Sequence, residues 1–360
     1  MKFTGSRTEL ANAAKWVSRA IPRNPPVPIL AGMVLEATDG GLRLSAFDYD
    51  LALTATVEGV TEALGRALVP GPTLAAFLSA ARGKDAELAV EDDLTVRSGS
   101  ASSVLRTLNL DDYPDLPAAG SGVSLGEMSA EVLADVVQRF SGLPLKDAQP
   151  VWQQAAWLLS DGEVLSVTIG SRYAVGQQVF PLALQPFEMV LPAAQFNDAL
   201  GDLEGGAGLY QDSGSLGIIT PTRAVSLRQF EARFPEKMND VIHRSPYNST
   251  VTVDRDSLSA ALKLTSGASD RVQVAVDSAE MTLTSYKPEK GEAKSEITDV
   301  IPCECDEPGS FITAHRYLQP ILTAMTGSEV RIRFGTGASA RGATATDGRS
   351  HFAFMPTRGL

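Results

Sequence analysis

The chain has 360 residues, 44% of them hydrophobic and 21% charged, with a formal net charge of −12. That length exceeds one ordinary core and predicts two or three domains, and with no run of about 18 apolar residues a membrane partner is not expected. Cys303 and Cys305 are too few for a disulfide framework, and the three histidines (His243, His315, His351) lack ligand spacing, so neither a metal nor another cofactor is predicted.

The first third predicts an amphipathic helix near Leu10 (LANAAKWV) and a hairpin, MVLEATDGGLRLSA, turning at Asp39. A second helix follows Val69-Pro70 and runs toward Gly83, before the alternating strand AELAV. The middle third repeats the order: a helix from Leu133 (LADVVQRF), the hairpin AAWLLSDGEVLSV at Asp161, a helix after Leu191-Pro192 toward Gly205, then AGLY. In the final third come Leu258 (LSAALKLT), VQVAVDSAEMTLTS at Asp277, a helix after Thr313-Ala314 toward Gly327, and EVRIRF. Matching starts recur at intervals of about 120 residues, and Tyr113-Pro114 and Phe234-Pro235 close the first two copies. The expected fold is therefore α+β: three repeated domains, each with two helices packed on antiparallel sheets, over residues 1–120, 121–245 and 246–360. The boundaries fall in the small-residue stretch Pro117 to Ser124 and the polar stretch His243 to Ser249.

In the first helix Leu10, Ala13, Ala14 and Val17 form an apolar stripe, opposite Asn12, Lys15 and Arg19. The second copy places Leu133, Val136, Val137 and Phe140 inside and Gln138 and Arg139 outside, with Asp135 intruding. Lys263 and Arg271 extend the basic pattern, and the helix entries add Arg23, Arg82, Lys84, Lys146 and Arg316. An acidic chain is an unusual nucleic-acid binder, but positive charge confined to one face suits a contact weak enough to slide. Such cations meet phosphates without reading bases. Gly122-Val123-Ser124-Leu125-Gly126 fits the nucleophile elbow of serine hydrolases, yet it falls between repeats that lack strand–helix alternation, so no enzyme is predicted.

The segments RNPPVPILAGMVLEATDGGLRLSAFDYDLAL, TIGSRYAV and FAFMPTRGL are similar over the full length to the bacterial DNA polymerase III β subunit (β sliding clamp) family. Pro28-Ile29-Leu30 and Met355-Pro356 are the most specific parts. The resemblance implies a head-to-tail homodimer forming a ring around double-stranded DNA, helices inside and sheets outside. It implies a non-enzymatic, cytoplasmic processivity factor in DNA replication. Its partners would be the polymerase III catalytic subunit, the clamp loader, and other DNA polymerases and repair proteins carrying clamp-binding motifs. Their peptide pocket would be walled by Trp152, Thr168, Gly170, Tyr173, Pro235, Val241, Met355, Pro356, Thr357 and Arg358. This chain departs from the family in Ile169, where an aspartate is usual, in Tyr173 for a leucine, in Asn24 for an arginine, and in one extra residue near the terminus Arg358-Gly359-Leu360. These departures imply an altered peptide preference. A specialised second clamp, from a phage or conferring inhibitor resistance, and a repeat scaffold that binds no DNA are the other readings. The two-domain trimeric clamp of archaea and eukaryotes is disfavoured by the length and the three repeats.

Overall fold

A computed structural model describes residues 1–235, 237–243, 247, 249–287, 295–335 and 342–355. Its elements come in a thrice-repeated order of strand, helix, strands, helix, strands. The first copy runs β1 (Lys2–Ser6), α1 (Arg7–Val17), β2 (Gly32–Thr38), β3 (Gly41–Phe47), β4 (Leu51–Val57), β5 (Gly59–Ala63), β6 (Gly65–Pro70), α2 (Gly71–Ala80), β7 (Asp85–Val90), β8 (Leu94–Ser98) and β9 (Ala101–Leu105). Next come β10 (Val123–Ser129), α3 (Ala130–Phe140), β11 (Ala155–Ser160), β12 (Leu165–Gly170), β13 (Ala174–Phe180), β14 (Phe187–Pro192), α4 (Ala193–Leu200), β15 (Gly206–Asp212), β16 (Ser215–Ile219), β17 (Arg223–Arg228) and α5 (Lys237–His243). The last copy holds β18 (Ser249–Asp254), α6 (Arg255–Thr265), β19 (Arg271–Val276), β20 (Glu280–Lys287), β21 (Ser295–Cys305), β22 (Gly309–Ala314), α7 (His315–Ala324), β23 (Glu329–Phe334), β24 (Ala343–Thr346) and β25 (Ser350–Phe354).

The first helix of each copy starts about one turn earlier than the apolar stripe suggests, because a short polar side chain caps it. Ser6 Oγ accepts from the Glu9 N–H at 3.4 Å, Ser129 Oγ from Val132 at 3.2 Å and Asp254 Oδ1 from Ser257 at 2.7 Å. Each such cap typically stabilises a helix by about 1 kcal/mol. The hairpin aspartates work similarly: Asp161 Oδ1 accepts from the Glu163 and Val164 N–H groups, and Asp277 Oδ1 from Ala279 and Glu280. Those bonds hold both carboxyls below the usual carboxylate range.

The described residues form two compact units, 1–134 with 195–229 and 135–194 with 230–360. In the first unit β5-β1-β7-β8-β9 make one sheet and β10-β15-β16-β17-β4-β3-β2-β6 another, and α1 packs on α2 and β4. Every pairing in both sheets is antiparallel, and β17 joins β4 with Leu227 opposite Leu51. The second unit carries a twelve-stranded sheet from β14 to β22, and α6 packs on α7 and β21. Leu10, Ala14 and Val17 are fully buried, as the stripe predicts, with Trp16 added to them.

The Pro28–Ala31 turn has a packing role. Leu30 joins Val34, Leu68 and Tyr113 in a buried cluster to which Ile29, Leu110 and Leu116 add. The Tyr113 hydroxyl accepts from the Phe47 N–H at 2.9 Å, so the aromatic–proline pair pins the start of the connector to the sheet. The nucleophile-elbow pattern begins at Gly122 and places Ser124 within β10, a terminal strand of an antiparallel sheet, and not at the strand–helix turn which that chemistry needs. Cys303 lies on β21 with its thiol pushed up to about 11, chiefly by burial, and no cluster of three or more metal-ligating side chains occurs among the described residues. Among them, too, no helix is long and apolar enough to cross a membrane.

Candidate peptide-binding site

The second unit contains the described part of the expected pocket. Trp152 sits in a short turn (Val151–Gln154) that is anchored by the fully buried Gln153, whose Nε2 donates to the Gln149 carbonyl at 2.7 Å. The Trp152 indole meets Phe234 edge-on at 5.5 Å, and Phe234 stacks on Trp157 at 5.1 Å. Trp157 is fixed in turn by its Nε1–H, which donates to Glu188 at 3.1 Å. Val241 on α5 packs half-buried against the same cluster, together with Met238 and Phe230. Pro235 is half-buried at the entry to α5, its carbonyl accepting from the Met238 N–H at 2.9 Å.

A polar chain runs beside these rings. Gln177 Nε2 donates to Thr168 Oγ1 at 3.0 Å and to Asn239 Oδ1 at 3.1 Å, which leaves Gln177 Oε1 to accept from His243 Nε2–H. His243 also lies edge-on to His351 at 5.2 Å, so two histidines far apart in sequence meet here. Burial, and then the His351 charge, push the His243 pKa down. Thr168 is therefore a buried link between Gln177 and β12, not an exposed wall.

Gly170 has φ +154°, and a Cβ there would lie 2.4 Å from the Ala174 carbonyl oxygen, so glycine is required by the tight turn into β13. Ile169 beside it is fully buried. Tyr173 stacks on Tyr317 of α7 at 4.9 Å with nearly parallel rings, and the Arg172 guanidinium lies over the Tyr173 ring at 4.8 Å. Its carbonyl accepts from the Met355 N–H at 2.9 Å, which places the exposed Met355 side chain where the chain leaves β25. Pro356, Thr357 and Arg358 lie outside the described residues. The helix-borne Tyr317 and the polar Gln177, Asn239 and His243 carried no sequence signal for this site; Phe234 stood out in the sequence only as half of the aromatic–proline pair that closes a repeat.

The expected DNA-facing cations divide. Lys15, Arg23, Arg82, Lys84, Lys146 and Lys263 are exposed and make no ion pair among the described residues. Arg19 instead donates to the Asp198 and Gly201 carbonyls at the end of α4 and pairs with Asp202 at 2.6 Å. Arg139, expected on an outer face, has only 15% of its side chain exposed; it bonds Asp135, Gln178 and the Ala324 carbonyl that ends α7. Arg316 pairs with Asp270 at 2.8 Å and lies over Tyr317, while Arg271 is exposed at the start of β19.

The second unit thus holds an aromatic cluster of Trp152, Trp157 and Phe234 and a Tyr173–Tyr317 stack beside the exposed Met355, in a chain whose element order repeats three times. Residues 1–117 match the family described as DNA polymerase III beta subunit, N-terminal domain. The beta sliding clamp of Streptomyces coelicolor is 31% identical over 273 residues, 70% of this chain and 72% of that protein. That of Synechococcus elongatus is 25% identical, with 94% of each chain covered. The crystal structure of the DNA polymerase III beta subunit from Thermotoga maritima superposes with a TM-score of 0.89 at 20% identity, covering 100% of both chains. The chain belongs to the β sliding clamp family.

Proposed function

We propose that this protein encircles double-stranded DNA as a sliding clamp and tethers the replicative polymerase through the aromatic site of its second unit. The observation that carries this reading is the thrice-repeated element order in a member of the clamp family. In the proposed assembly the domains are 1–120, 121–245 and 246–360, and two chains close head to tail. Two sheet ends support that closure: β9 and β22 are each terminal in their sheets and leave an edge for a partner strand. Lys15, Arg82, Lys84, Lys146 and Lys263 are the phosphate contacts this reading favours, with Arg23 and Arg271 beside them. Enclosure, not affinity, would retain the DNA, so a net charge of −12 is no obstacle.

Trp152, Pro235, Val241, Tyr173 and Met355 would receive the clamp-binding motif, with Pro356, Thr357 and Arg358 completing the pocket and Thr168 and Gly170 shaping it from behind. The polymerase III catalytic subunit, the clamp loader and repair proteins with such motifs are the partners, in the cytoplasm, and no reaction is catalysed. The test is to load the protein on nicked circular DNA with a clamp loader and then linearise the circle. A clamp loads and is released at the ends; a scaffold that binds no DNA does neither, and that result would falsify the reading.

A further inference from the structure

We infer that the first unit carries a second docking groove, which takes an extended acidic peptide of a partner protein. The groove lies on the face of the β17-β4-β3-β2-β6 sheet opposite α1 and has a cavity volume of about 480 Å³, within the range of ligand pockets. Strand alternation makes its floor. Val34 and Glu36, Arg43 and Ser45, Ala52, Thr54 and Thr56, and Ala224 and Ser226 point into it, while Leu35, Leu44, Leu53 and Val225 point into the core.

Small and hydroxyl side chains leave that floor shallow and polar. One wall is the connector Leu116–Ala119, seated so closely that a Cβ on Gly217 would lie 1.7 Å from the Ala119 carbonyl oxygen. Pro117 of this connector and Pro221 both line the groove, each with its φ fixed by the ring. This face is neither a buried interior nor a smooth outer surface.

Charge selects the occupant. Arg43 and Arg66 share one carboxylate, Glu36, at 3.1 and 3.7 Å, and half of each arginine side chain is exposed. One guanidinium's charge is left over, in a chain whose acidic groups outnumber its basic ones by 12. Exposed pairs of this kind contribute little to stability, so an incoming carboxylate can take either arginine from Glu36 at small cost. An acidic ligand thus meets a guanidinium pair with charge to spare in this groove, while the prolines and Leu116 offer contact to its apolar residues.

The test uses the full-length protein and a fluorescein-labelled peptide of alternating aspartate and leucine, followed by anisotropy. Saturable binding is expected, weakened at least tenfold by replacing aspartate with asparagine, by the pair Arg43→Glu and Arg66→Glu, or by Thr56→Trp, which fills the floor by bulk instead of charge. Trp152→Ala should leave it unchanged, which separates this groove from the aromatic site. Absence of saturable binding, insensitivity to both groove variants, or displacement by a clamp-motif peptide would each overturn the proposal.

Discussion

Lys15 and Arg19 stand four residues apart and the fold uses them in opposite ways. Arg19, like Arg139 in the next copy, turns back to satisfy the last carbonyls of a helix, α4 for one and α7 for the other. Lys15 and Lys263 stay exposed with no ion pair among the described residues. The guanidinium's planar set of donors can bond a helix end and a carboxylate together, whereas an ammonium is a compact, strongly hydrated charge better left in water or against a phosphate. Exposure likewise separates Phe234, 3% exposed, from the half-buried Trp152 that packs on its edge and from the exposed Met355.

The contrast can be broken at either end. Phe234→Ala should destabilise the second unit by about 3–5 kcal/mol in chemical denaturation, because the stack on Trp157 and the edge contact with Trp152 leave a cavity when the ring is removed. Trp152→Ala should cost about 2 kcal/mol in affinity for a clamp-motif peptide, roughly thirtyfold by anisotropy, with less than about 1 kcal/mol lost in stability. If both variants unfold equally easily, the rim is as structural as the core.

Arg139→Ala should lower stability by about 2 kcal/mol, since Asp135, Gln178 and the Ala324 carbonyl lose their shared donor, while the salt dependence of DNA binding stays put. A pH titration sharpens the picture further. The folded protein holds the His243 pKa below its ordinary 6.5, so the stability linked to neutral His243 is intact above that pH and is lost as pH falls through the lower folded value. His243→Gln should flatten that acid limb of a thermal-melting profile. The smallest effect on folding belongs to Lys15→Gln: stability should change by less than about 0.5 kcal/mol, yet the slope of log affinity against log salt should fall by about 1 for each phosphate that the side chain no longer neutralises. An unchanged slope would remove Lys15 from the DNA-facing set.

The repeat was legible because helix stripes and hairpin turns are local signals of fixed spacing. Leu10, Leu133 and Leu258 all fall inside first helices, and all three hairpins form around their aspartates. Helix starts were misplaced because Ser6, Ser129 and Asp254, the caps, precede the apolar stripe. The aromatic site was legible only where the resemblance named its residues. Tyr317 against Tyr173 and His243 against Gln177 are contacts between distant segments, which no spacing encodes. Arg139 looked like Lys15 for the same reason: a helical wheel shows which way a side chain leaves the helix, not whether another helix ends there.

The connector between the first two copies is fastened along its length. Tyr113 grips it at one end, Ala119 presses on Gly217, and the Ser121 hydroxyl donates to Asp212 at 2.7 Å. A strap laced down in this way has no slack to give. Moving the first two copies apart along this stretch would have to break the Tyr113, Ala119 and Ser121 contacts together.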